Sequence, residues 1–165
     1  MATEARRRGL RAAVAAAAFV AVCFAAAGVG QLAGRAGIGP WYRELVKPSF
    51  TPPSWVFGPA WTILYICMGL AAWRVWLGGG LRGRAGPLGL FALQLALNAA
   101  WTPLFFGLQS PALALIDIVA LWVAIVATAW WFFRLDRPAG WLMVPYAAWT
   151  TFAVVLNLAI WRLNP

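Results

Sequence analysis

Five long apolar stretches set the pattern of this chain. They run over roughly 12–33, 55–77, 87–107, 111–133 and 139–161, each near the ~20 residues that a bilayer-spanning helix requires. The breaks are punctuated by turn formers and charge. Residues 34–54 hold Gly34, Gly37, Gly39, Pro40, Pro48, Pro52 and Pro53, and residues 78–86 read Gly-Gly-Gly-Leu-Arg-Gly-Arg-Ala-Gly. Gln109-Ser110-Pro111 reads as a tight turn, and Arg134 to Pro138 as a charged one. No stretch alternates in the ~10-residue dyads of a barrel strand, so helices must satisfy the backbone in lipid. The pattern predicts an all-α membrane protein, a bundle of five transmembrane helices forming a single domain over residues 1–165.

Composition supports that solvent. The chain is 64% hydrophobic and 10% charged with mean hydropathy +0.78, whereas a soluble domain is about a quarter charged. Charge then predicts orientation. An odd number of spans puts Arg6, Arg7, Arg8, Arg11, Arg74, Arg82, Arg84, Arg134 and Arg137 on one side, nine of the 13 basic residues. Arg35, Arg43, Lys47 and Arg162 fall on the other. The positive-inside rule places the N-terminus in the cytoplasm, and the expected home is a bacterial cytoplasmic membrane. These arginines flank helices and form no stripe, which argues against a nucleic-acid partner and for contact with the lipid bilayer. The first stretch also has the ingredients of a cleavable secretory signal. Its apolar run of about 22 residues exceeds the ~7–15 of a signal core, which favours a retained helix.

Conventional catalysis finds no footing. There is no histidine, so the commonest general base and the usual zinc and haem ligand are missing together. Glu4, Glu44 and Asp136 fall in tails or loops. Asp117 is the one acid within a span, read as a favourable charge at a helix start, with a proton relay as the alternative. Cys23 and Cys67 lack metal-ligand spacing and read as small apolar packers. No catalytic set, metal site or required cofactor is predicted.

Aromatic and amide residues in register are the candidate chemistry. Of 12 tryptophans, Trp41, Trp55, Trp76, Trp130, Trp131, Trp141 and Trp161 sit at span ends and read as an interfacial belt. Trp61, Trp101 and Trp149 lie about two turns inside, each in a helical stripe. The second span aligns Trp61, Tyr65 and Met68. The third aligns Gln94, Asn98, Trp101 and Phe105, and the fifth groups Tyr146, Trp149, Ala153, Leu156 and Asn157. Amides facing lipid are costly, so Gln94, Asn98 and Asn157 should point inward. Two readings stand on the residues alone: interhelical packing bonds, or an aromatic pocket with a few polar handles.

Longer motifs then carry a resemblance. They are Trp41-Tyr42, Lys47-Pro48 and Pro52-Pro53-Ser54-Trp55-Val56-Phe57-Gly58-Pro59-Ala60-Trp61-Thr62-Ile63-Leu64-Tyr65, followed by Gln94-Leu95-Ala96-Leu97-Asn98-Ala99-Ala100-Trp101 with Pro103, Phe105, Phe106 and Gly107. Pro145-Tyr146-Ala147-Ala148-Trp149, Leu156-Asn157 and Trp161-Arg162-Leu163-Asn164 complete the set. In order and spacing, residues 40–164 resemble the tryptophan-rich sensory protein/translocator protein family (TspO/MBR, the peripheral benzodiazepine receptor family). Residues 1–39 match only as a generic first helix.

The resemblance implies a five-helix bundle, usually dimeric, with a pocket open toward the first loop. Family ligands are tetrapyrroles such as protoporphyrin IX and hydrophobic drug-like molecules, with cholesterol in animals. Carried over by position, the ligand-binding residues are Trp61, Tyr65, Asn98, Trp101, Trp149, Ala153 and Leu156. Two positions depart from the pattern. Leu158 stands where the sterol motif has tyrosine, and Leu113 where an aromatic occurs. The function expected is a membrane receptor or sensor of tetrapyrroles; a porphyrin transporter and a light-dependent porphyrin-degrading enzyme are the alternatives. The stiff, apolar loop 40–54, with Trp41 and Phe50, is expected to cover the pocket as a lid, with Pro53-Ser54 starting the second helix. Gly89, Ala92, Ala96 and Ala100 form a small-residue line about 200° from the Asn98 face, the expected homodimer interface.

Overall fold

The computed structural model describes residues 2–34 and 39–164. Arg35 and Gly37 of the predicted first break lie outside the described residues. Among the described residues, five long helices carry the fold: α1 (Ala2–Gly34), α3 (Ser54–Leu77), α5 (Ala85–Thr102), α6 (Pro111–Leu135) and α7 (Arg137–Leu163). Two short ones, α2 (Pro40–Glu44) and α4 (Gly80–Gly83), sit in the first two connections. All five long helices are apolar enough to cross a membrane, and the protein is an integral membrane protein.

Local chemistry sets the boundaries. α3 starts at Ser54 behind Pro53, as expected. At the start of α6 the Ser110 hydroxyl accepts from the Leu113 N–H (3.3 Å), with Pro111 in the first turn. Asp136 does the same for α7, accepting from the Ala139 N–H at 2.8 Å. Only that residue separates α6 from α7, so the charged break predicted over Arg134–Pro138 is almost entirely helical. The glycine-rich break is likewise shorter than expected, because α4 occupies part of it.

The third span widens at its end. Pro103 has no N–H, which denies the Ala99 carbonyl its intrahelical donor. The chain continues as a π-turn over Pro103–Gly107, closed by the Leu108 N–H on the Pro103 carbonyl at 2.8 Å. The Ala99 carbonyl faces Gly30 of α1 instead, so closely that a Cβ at Gly30 would lie 2.7 Å from the oxygen. Gly69 of α3 meets the Val20 backbone of α1 in the same way, at 2.6 Å. Small residues at both crossings let α1 seat against the bundle.

Packing neighbours close a ring in the order α1, α3, α7, α6, α5 and back to α1. The core inside it is apolar toward the α6–α7 turn, with Met68, Val75, Phe91, Leu121, Ile125, Phe132 and Met143 buried. Leu32, Ile63, Leu93, Ile116 and Val123 are exposed on the outside, where lipid is the solvent. The Asp117 reading fails. α6 begins at Pro111, so Asp117 lies beyond the first turn, buried, where the terminal field has decayed.

Candidate functional site

The aromatic stripes meet in the half of the bundle nearest the first loop. From α3, Trp61 stacks on Tyr65 with centroids 5.3 Å apart and planes at 26°. The Tyr65 hydroxyl donates to Asn98 Oδ1 at 2.8 Å, and Asn98 Nδ2 donates to the Tyr146 oxygen at 3.0 Å. One amide of α5 therefore joins α3 to α7. Trp61 also meets Tyr146 (6.2 Å) and Trp149 (6.5 Å) edge to face. Trp149 is held between Phe57 at 5.8 Å and Phe152 at 5.8 Å.

A second cluster lies beside the first, under the loop. Trp101 stacks on Phe105 (4.9 Å, 22°), and its indole N–H donates to Asn157 Oδ1 at 3.0 Å. Asn157 Nδ2 donates to the Pro111 carbonyl at 2.8 Å, which ties α7 to the start of α6. Leu156 and Ile160 complete this core. Trp41 and Tyr42 of α2 rest edge-on against Phe105 (5.6 and 6.3 Å), and Phe50 meets Phe152 at 6.3 Å. Asn164 pins the loop to the end of α7, accepting from the Val46 N–H (2.9 Å) and donating to the Val46 carbonyl (3.0 Å). Lys47 Nζ stands 4.5 Å over the Tyr42 ring, and burial raises the Tyr42 hydroxyl above its ordinary pKa.

Trp149 and Phe152 also line a concavity of about 500 Å3 that opens outward between α3 and α7. Pro52, Ala60, Ile63 and Pro145 form most of the rest of its wall. It is a shallow groove on the outer face of the bundle, open on one side, with Ile63 exposed at its wall. Its surface is apolar, with aromatic edges and the Tyr65–Asn98–Tyr146 network lying deeper. The arrangement suits a flat, hydrophobic guest.

Comparison with known proteins agrees with this architecture. The sequence profile of the TspO/MBR family matches residues 19–162. The chain belongs to the TspO/MBR family. It is 50% identical over 127 residues to tryptophan-rich protein TspO of Chlorobaculum tepidum, covering 76% of this chain and 80% of that protein. The tryptophan-rich sensory protein of Cereibacter sphaeroides is 46% identical over 148 residues, 88% of this chain and 89% of its own. The human translocator protein is 44% identical over 126 residues, 75% of each chain.

Within this TspO/MBR bundle the seven candidate residues divide. Trp61, Tyr65, Asn98 and Trp149 converge, with Ala153 packed against the same core. Trp101 bridges to the neighbouring cluster, where Leu156 is buried. Tyr146 shares the stripe of Trp149 but is not among the carried-over residues; it closes the network at its α7 end by accepting from Asn98, the hub. Phe57 and Phe152 extend the Trp61 and Trp149 stripes by one turn each. The belt also needs correcting. Trp55, Trp130, Trp131, Trp141 and Trp161 are exposed as expected, but Trp41 packs on Phe105, and Trp76, half-buried, lies 6.0 Å from Phe19. Gly89, Ala92 and Ala96 are exposed on the outer face of α5, and Ala100 is half-buried.

Proposed function

We propose that this chain is a membrane receptor for tetrapyrroles of the protoporphyrin IX type, held by ring stacking. The observation that carries the reading is the convergence of Trp61, Tyr65 and Trp149 beside the concavity between α3 and α7. A porphyrin offers a large apolar face to such rings, and each aromatic contact contributes roughly 0.5–1.5 kcal/mol beyond area burial. Without histidine, no axial imidazole is on offer, so the porphyrin and not its metal is what the site reads. Arg43 and Lys47 lie in the loop over this half of the bundle and suit the propionates. Loop 40–54 serves as the lid, and the N-terminus is cytoplasmic.

The test is a spectral titration with metal-free protoporphyrin and with haem, in the dark and under illumination. The two ligands should bind about equally well. Trp149→Ala should weaken both several-fold to tens-fold, and Trp130→Ala neither. A strong preference for haem with a six-coordinate spectrum refutes the stacking account. Bleaching of bound porphyrin only in the light favours degradation, and ligand movement across sealed vesicles favours transport. The words sensory and translocator in the relatives' names fit either receptor or transporter. The assembly that goes with this reading is a homodimer through Gly89, Ala92, Ala96 and Ala100, and Ala96→Phe should leave a monomer in mild detergent.

A further inference from the structure

The opposite end of the bundle holds a second concavity, about 390 Å3, at the turn between α6 and α7. Trp130, Phe133 and Arg134 line it from α6, and Arg137 and Trp141 from α7. The Arg134 guanidinium lies 4.5 Å over the Trp130 ring, and Phe133 meets Trp141 edge-on at 5.3 Å. The wall is therefore ordered by its own contacts.

Its charge is uncompensated. Asp136 is the acid at this turn, and both of its oxygens accept from Arg74, at 2.9 and 3.0 Å. One of them also caps the Ala139 N–H. Arg134 and Arg137 are exposed, and neither forms an ion pair among the described residues. Arg137 moreover opens α7, where the helix dipole already presents positive charge. Two guanidinium groups, Arg134 in the last turn of α6 and Arg137 at the start of α7, line the same groove and favour an anion that accepts from both, and phosphate is the group whose geometry fits the guanidinium fork.

The surroundings restrict the anion further. Trp130 is 58% exposed and Trp141 65%, rings of the kind that settle at headgroup depth. One turn deeper on each helix, Val126 and Val144 are exposed and apolar. A ligand filling this groove meets charge at its mouth and hydrocarbon below. We propose that the groove binds one anionic phospholipid, its phosphate between Arg134 and Arg137 and its acyl chains along the Val126 and Val144 faces.

The test uses the full-length protein, delipidated in an uncharged detergent. Native mass spectrometry counts retained lipid as phosphatidylglycerol or phosphatidylcholine of the same chain length is added. Wild type should retain one phosphatidylglycerol in strong preference to phosphatidylcholine. Arg134→Gln combined with Arg137→Gln should weaken that binding roughly ten- to thirty-fold, taking the usual contribution of a basic residue at an anionic surface for each. Arg11→Gln with Arg82→Gln removes equal charge outside the groove and should leave the affinity within about two-fold. If the double variant melts early without lipid, Arg137→Gln alone is read in its place, with a smaller loss in the same direction. Equal losses in the groove and control pairs would overturn the site in favour of diffuse attraction. Equal retention of phosphatidylcholine would overturn it too, as would displacement of the lipid by inorganic phosphate at matching concentration.

Discussion

Gln94 and Asn98 stand one turn apart on the same face of α5, and both are buried. Asn98 has a tyrosine at each end of its amide. Gln94 has no partner at either end among the described residues. The contrast extends to their neighbourhoods. Around Asn98 and Asn157 every amide bond ties two helices together. Asp117 Oδ2 and Thr150 Oγ1, also buried, have no partner among the described residues, as with Gln94. In a ring of helices where lipid removes the hydrophobic drive for association, a paired amide fixes how close three helices stand. An unpaired one keeps its desolvation penalty and fixes nothing. Sequence period alone treats the two residues as equals, and neighbours on other helices separate them.

The strongest way to break this comparison is at Asn98. Asn98→Leu fills similar space but strands the Tyr65 and Tyr146 hydroxyls in the core. The expected loss is about 2–3 kcal/mol of unfolding free energy, and porphyrin binding should fall with it as Trp61 and Tyr65 lose their anchor. Unfolding in a mixed-micelle titration measures it. A loss under about 0.5 kcal/mol would mean that ring packing holds the site without the amide.

Gln94→Met sharpens the same comparison with a smaller effect and the opposite sign. Methionine matches glutamine in length and removes two unpartnered polar atoms, so stability should hold or rise by up to about 1 kcal/mol. A loss as large as that of Asn98→Leu would show that Gln94 is bonded after all, with buried water the obvious partner.

These two residues also mark how far the sequence could be read. The five spans were legible because lipid demands one length and one polarity, and the helices fall within a few residues of the apolar runs for four of them. α1 begins well before its apolar run, at Ala2. Trp61, Tyr65, Asn98 and Trp149 were legible because helical period puts them on inward faces. Tyr146 was on such a face too, but its bond to Asn98 depends on where α7 stands relative to α5. The order of helices around the ring, and hence who meets whom, is written in crossings such as Gly30 on Ala99 and Gly69 on Val20, which no stripe reveals. Asp117 was misread for a local reason: Ser110 caps the helix and Pro111 starts it, leaving Asp117 too deep for the end of the helix to matter.

The smallest effect separates a paired group inside the bundle from one at its rim. The Arg74–Asp136 pair is bidentate like the best buried pairs, yet the Arg74 side chain is 38% exposed and that of Asp136 25%. Solvent screening should hold its contribution under about 1 kcal/mol. Asp136→Asn is the clean probe, because asparagine still caps α7 while the charge is lost. The hydrogen bonds from Arg74 hold the Asp136 carboxyl below its ordinary pKa. A depressed carboxyl stabilises the fold above its unfolded pKa of about 3.9, and the contribution fades as pH falls through the lower folded value. Wild type should therefore exceed Asp136→Asn by a few tenths of a kcal/mol to about 1 kcal/mol near pH 7, and the gap should close in acid below the ordinary carboxylate range. Unfolding of both proteins across that pH range measures the gap, and high salt should narrow it at pH 7. A gap that persists unchanged in acid and in salt would mean that Asp136 acts through the cap and the packing of the turn, with its charge irrelevant.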